Sequence, residues 1–250
     1  EIGSGLVGSE MCIRDSYYGP QSEKEVTEAL AMHHKTSAEL QPLDKKHLQL
    51  LPTDESKVLM AQYDAKQLYY LQYANLGKQF DVAADPEITL YNEYFGGGMN
   101  SVVFQEMREA RGLAYSASAY IMQPNYADTK YGYIAFIATQ NDKMQTAIEA
   151  FDEIINNMPE SETAFKIAKE GLISRLRTDR TVKEQVLWSF IRLRNLGLEE
   201  DRDKQIFEKV QAMTLADVKA AQEKWVKNRK YVYGILGDIQ DLDLNYLKTL

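Results

Sequence analysis

The sequence predicts an α+β domain, and three features predict it. Short runs rich in Val, Leu and Tyr suit strands, one long stretch carries apolar residues at helical spacing, and the two kinds of element come in groups rather than in strict alternation. With 250 residues and 44% hydrophobic content, the chain is long enough to bury one large core.

Taken in order, residues 1–16 (EIGSGLVGSEMCIRDS) have neither helical nor strand periodicity and resemble a sequencing-adapter sequence read through as protein. They are assigned to a non-native or disordered leader, and the domain to residues 17–250. Cys12 therefore carries no functional weight. Tyr17-Tyr18-Gly19-Pro20 reads as the end of a strand stopped by Gly-Pro. Ser22 then caps a helix to about Met32, with Glu25 completing a capping box. The polar stretch 36–56, with Pro42 and Pro52, reads as a connection. Residues 57–63 and 67–73 read as two strands that pair with each other.

Pro86 opens a helix through Tyr94 that Gly96-Gly97-Gly98 ends, and a second helix over 102–110 is stopped by Gly112. Alternation over 113–121 predicts a strand, and Gln123-Pro124-Asn125 begins a turn. The run YGYIAFIA within 130–139 is apolar on both faces, as an interior strand requires. Met144, Ala147, Ile148, Phe151, Ile154, Ile155 and Met158 form a broad helical stripe. Further helices are expected over 162–177, 183–196, 203–213 and 215–227, the last with a Thr214–Asp217 capping box, before a final strand at 231–236.

Composition excludes several functions. A formal charge of -8 and a pI near 5.1 argue against nucleic-acid binding, which needs a basic face; Lys45, Lys46 and the lysines of 224–230 read as solvated surface. No run approaches the roughly twenty apolar residues of a membrane helix. One cysteine rules out an intrachain disulfide and a multi-cysteine zinc site. The three histidines, His33, His34 and His47, fit neither H-x-x-E-H nor H-E-x-x-H, and adjacent His33 and His34 point about 100° apart on a helix. They read as surface side chains, and no Ser/His/Asp or Cys/His arrangement can be assembled from them.

Residues 91–119 read YNEYFGGGMNSVVFQEMREARGLAYSASA. A helix, a Gly-rich break, a second helix ending in R-E-x-R-G-L-A-Y and a strand of small alternating residues together resemble the M16 zinc metallopeptidases (insulinase/pitrilysin-like). The resemblance extends over about residues 17–240. It implies a LuxS/MPP-like metallohydrolase domain, a mostly antiparallel sheet packed against helices. In that family two halves close around a peptide. The N-terminal half binds Zn²⁺ through H-x-x-E-H, whereas the C-terminal half normally lacks the metal.

Absence of the motif here implies the C-terminal, non-catalytic half. It holds no cofactor and no metal ligand, with Zn²⁺ expected in the partner half. The implied partners are a zinc-bearing N-terminal half, in cis or in trans, and a peptide substrate. The family's C-terminal half offers an Arg and a Tyr seven positions apart to the substrate, and Arg108 and Tyr115 match that spacing. The residues alone favour Arg108 pairing with Glu106 or Glu109 while Tyr115 packs in the sheet; the resemblance points instead to substrate binding. Gly96, Gly97 and Gly98 either line the peptide chamber or let two helices fold back on each other. Arg111 reads as a solvent-facing neighbour, and Glu106/Glu109 and Glu199/Glu200 as surface charge. The rival reading is a structural subunit of the same fold, like the M16-like core subunits of respiratory complexes.

Overall fold

Strand formation here follows the two-residue alternation of burial. In β2 (Gln67–Gln79) Leu68, Tyr70, Gln72, Ala74 and Leu76 are buried, while the intervening residues face outward. Together with β1 (Lys57–Gln62), β3 (Ser116–Met122), β4 (Lys130–Gln140) and β5 (Val232–Gly237), it forms one sheet of order β1-β5-β2-β4-β3. The computed structural model describes residues 17–33 and 47–250. The leader 1–16 with Cys12, His34, Lys45, Lys46 and the first part of the 36–56 connection lie outside the described residues.

By contact, the chain divides into a smaller unit of residues 1–47 and 181–191 and a larger one of 48–180 and 192–250. The smaller unit holds α1 (Glu23–His33), and its capping box forms as read: Ser22 N–H donates to Glu25 Oε2 at 2.7 Å, and Glu25 N–H to Ser22 Oγ at 3.4 Å. His33 is exposed at the end of this helix. Tyr17 and Tyr18, expected to end a strand, lie outside any strand with exposed side chains. A strand needs a neighbour for its backbone groups, and among the described residues Tyr17 and Tyr18 have none.

In the larger unit, α2 (Asp85–Phe95), α3 (Val102–Phe104), α4 (Met144–Asn156), α5 (Glu162–Thr178), α7 (Arg202–Val210) and α8 (Leu215–Trp225) supply the apolar stripes that bury the sheet's Tyr-rich face. Between α5 and α7 the chain forms α6 (Gln185–Asn195), none of whose residues is buried. A final turn, α9 (Leu244–Leu247), closes the chain. The predicted stripe on α4 is buried from Met144 to Ile155. Asp217 caps α8 by accepting from the Thr214 N–H and hydroxyl at 2.7 and 2.8 Å. Among the described residues, no helix is long and apolar enough to cross a membrane.

The fold is α+β as predicted, with β4 interior, but the expected pairing of β1 with β2 does not occur. Strand β5 lies between them, parallel to β1 and antiparallel to β2. Four linking residues, 63–66, reach up to roughly 13 Å when extended, enough to step over one strand at about 4.8 Å per spacing. The more apolar β5 takes the inner position and the exposed β1 the edge. Strand β2 also runs past its predicted end, because a bulge between Asn75 and Gln79, with Gly77 at φ +74°, lets pairing resume.

Beneath α4, Gln72 Nε2 donates to Asp152 Oδ1 at 3.4 Å. Burial pushes the Asp152 carboxyl up to about 6, against the lowering effect of that hydrogen bond. The raised folded-state value means the folded protein holds this proton more tightly than the unfolded chain does. The resulting stability is full below about pH 4 and is lost as pH rises through about 6. Asp152→Asn should flatten this descent, worth at most about 3 kcal/mol. Urea denaturation of both proteins from pH 4 to 7 checks it; parallel pH profiles would contradict the assignment.

Candidate functional site

The Gly-rich break is built from the end of α2. Gly96 is its buried C-cap, and a Cβ placed there would lie 1.8 Å from Ala119 O on β3. Only glycine permits that approach. One turn earlier, Asn92 bonds the same strand twice: its Nδ2 donates to Ile121 O at 3.0 Å and its Oδ1 accepts from Ile121 N–H at 2.8 Å. Thus α2 covers the outer edge of β3 at Ala119 and Ile121. Gly97 and Gly98 are exposed; a Cβ on Gly97 would meet Asn92 O at 2.7 Å, and one on Gly98 nothing within 4 Å.

Ser101 caps the next helix, accepting from Phe104 N–H at 3.4 Å, and Gln105 Nε2 ties back to Met99 O at 2.6 Å. The predicted helix over 102–110 is α-helical only at Val102–Phe104 and continues as a π-helical turn, Gln105–Ala110. Gly112, at φ +57°, ends it, and the N–H groups of Leu113 and Ala114 both donate to Met107 O, at 2.8 and 3.2 Å. Widened turns of this kind recur at functional sites, and a single one over six residues is too short to show in the apolar spacing.

Arg108 projects from the π turn. Its guanidinium carbon lies 5.0 Å from the Phe104 ring centroid and 5.7 Å from that of Tyr115. Tyr115 is 73% exposed, and only its backbone is tied down, N–H to Ala138 O at 2.9 Å. Both side chains therefore meet at one solvent-facing spot. The two readings left open by the residues combine in part: Arg108 does approach Glu109, at 3.6 Å, yet Tyr115 does not pack in the sheet. An exposed pair of that kind contributes about 0–1 kcal/mol, so the guanidinium is readily exchanged to another anion.

Arg111 is exposed, as expected, and it also bridges Glu153 of α4 at 2.7 Å and Glu106 at 3.5 Å. It ties the π turn to the helix behind it. A cleft of 290 Å³ opens beside Tyr115, lined also by Gln67, Thr139, Gln140 and Lys143. Lys143 Nζ donates to Gly112 O at 3.2 Å and supports the turn between Arg108 and Tyr115. Spacing alone gave no signal for Phe104 or Lys143, since neither belongs to a local pattern. Among the described residues, no three His, Cys, Asp or Glu side chains are placed to hold a metal ion.

Comparison with known proteins bears on the fold. Residues 16–172 match the model of a family described as peptidase M16 inactive domain. No curated protein sequence matches the chain. Among solved structures, a peptidase M16 inactive domain from Pseudomonas fluorescens aligns at 19% identity and a TM-score of 0.63, over 79% of this chain and 47% of that one. A protease from Helicobacter pylori aligns at 12% and 0.65, over 88% and 53%. A chain of Complex III2 from Candida albicans, with Inz-5 bound, aligns at 15% and 0.57, over 92% and 56%. At these identities the likeness is one of fold, and the chain spans about half the length of those it matches.

The close approach at Gly96 yields a test. Gly96→Ala should cost about 3 kcal/mol or more, while Gly98→Ala should stay within about 0.5 kcal/mol. Urea midpoints of the two variants measure this, and equal shifts would contradict the packing of α2 on β3.

Proposed function

The chain belongs to the peptidase M16 inactive domain family, and on that premise we propose that it is the substrate-binding, zinc-free half of a two-part metalloendopeptidase. Residues 17–250 form the C-terminal-type domain, with 1–16 outside it. A zinc-bearing half, upstream in cis or on another chain, closes over it around a peptide.

One observation carries the reading: Arg108 and Tyr115 meet, with the guanidinium 5.7 Å from the phenol ring and both side chains open to solvent. Their stacking, about 0.5–1 kcal/mol for an exposed cation–π contact, holds them as a unit. When water attacks a peptide carbonyl, negative charge grows on its oxygen. The Tyr115 hydroxyl donates a hydrogen bond there, and the Arg108 guanidinium either adds positive potential or fixes a neighbouring backbone carbonyl. Activation of the water falls to the metal of the partner half. Gly97 and Gly98 line the peptide path, while Gly96 keeps their turn against β3.

The likeness to a chain of Complex III2 favours a second reading, a structural subunit of the same fold. Co-expression with a zinc-bearing half and an assay of unstructured-peptide cleavage separates the two. Under the first reading Tyr115→Phe lowers turnover by about ten- to a thousand-fold with stability unchanged. Unaltered turnover would remove Tyr115 from the mechanism, and stable co-purification without cleavage would favour the structural role.

A further inference from the structure

At the end of the sheet remote from Tyr115 in sequence, three basic residues that the linear order separates come together. Lys130, at the start of β4, and Arg229 and Lys230, just after α8, line one cleft of 350 Å³ with Asp54, Thr53 and Asn75. Three cations against the single carboxylate of Asp54 make this a positive depression on a chain whose formal charge is -8. As lysines of a sequence run, those of 224–230 read as ordinary solvated surface. The fold gives Lys230 a basic neighbour from a distant strand.

The walls are built by specific bonds. Asn75 Oδ1 accepts from Gly77 N–H at 2.9 Å, and Asn75 Nδ2 donates to Leu50 O at 2.9 Å and Leu51 O at 3.3 Å. Thr53 Oγ1 accepts from Asn75 N–H at 3.2 Å, so the segment before β1 is stapled onto the bulge of β2. Opposite, Asn228 adopts φ +58°, turning the chain out of α8 so that Arg229 folds back and donates to Lys224 O at 2.8 Å. That bond uses one of the guanidinium's five donors. Among the described residues, neither Lys130 nor Lys230 has a carboxylate within 4.0 Å, although Lys57 close by is paired with Glu55 at 2.8 Å. Glu55, bonded to Lys57, reaches Lys230 only at longer range. In a chain with 37 acidic residues, two ammonium groups facing one cleft with no described carboxylate at ion-pair distance mark a place where an anion is favoured.

We propose that this cleft is a binding site for a phosphate-class oxyanion, with Lys130 and Lys230 as point charges and Arg229 as a directional donor. Phosphoryl oxygens carry more charge than a single carboxylate and match a site with three cations. The site is independent of the reading of Arg108 and Tyr115.

The test is calorimetric titration of the full chain with inorganic pyrophosphate, against malonate and against sodium chloride at matched ionic strength. Saturable binding of pyrophosphate with one site per chain is expected. Lys130→Gln or Lys230→Gln should weaken it about tenfold each, and the double variant should lose it. Lys166→Gln, an exposed lysine on α5 already beside Glu170, should bind as the wild type does. The proposal is overturned if chloride reproduces the effect, if malonate binds more tightly than pyrophosphate, or if the double variant keeps the wild-type affinity.

Discussion

The contact on which the site depends is the approach of α2 to the edge strand β3. Gly96 removes the side chain that would strike Ala119 O, and Asn92 supplies both a donor and an acceptor to Ile121. A sheet edge otherwise leaves a row of unpaired backbone groups open to any passing strand. Here the helix satisfies the pair at Ile121 and covers Ala119 beside it, and in doing so it fixes where the Gly-rich turn leaves the core. Everything from Ser101 to Tyr115 follows from that exit point. The capped start at Ser101, the π turn, the reversal at Gly112 and the tie of Tyr115 to β4 return the chain to the strand it has just protected.

Electrostatics divide the molecule in a second way. Inside, a set of tyrosines and Gln72 surrounds Asp152, and burial raises the phenols of Tyr70 and Tyr133 well above the usual range. At the start of α2, Asp85 is buried beside Arg202, whose Nε lies 3.1 Å from Oδ2, and desolvation outweighs that cation to push the carboxyl up to about 6. Outside, by contrast, the pairs are long-armed and solvated, such as Arg108 with Glu109. The interior charges hold elements together through their cost when broken, whereas exposed Arg108 stays exchangeable, as the proposed contact with a substrate requires.

Most of the element order was legible in the sequence because its signals are local. Capping boxes at Ser22 and Thr214, the stripe of α4 and the two-sided apolar run of β4 each need only a few neighbouring residues to be read. Strand pairing is not local. Residues 57–63 and 67–73 look like a hairpin until the last strand, at Val232–Gly237, is seen to take the place between them. The same limit applied at the site. The spacing of Arg108 and Tyr115 could be read, but not the ring of Phe104 beneath the guanidinium, the bridge from Arg111 to Glu153, or the requirement for glycine at 96 and 97 but not at 98. Those depend on what a helix end meets in three dimensions.

The central claim is that Arg108 and Tyr115 face a peptide held between this chain and a zinc-bearing half. Its most direct measurement places a photo-crosslinking phenylalanine analogue at position 115, and another at Lys166 on α5, and irradiates each with a labelled unstructured peptide. The account predicts capture of the peptide from position 115 that rises when the zinc-bearing half is added, and none from position 166. Equal capture from both positions, or none from 115 in the assembled complex, would contradict it.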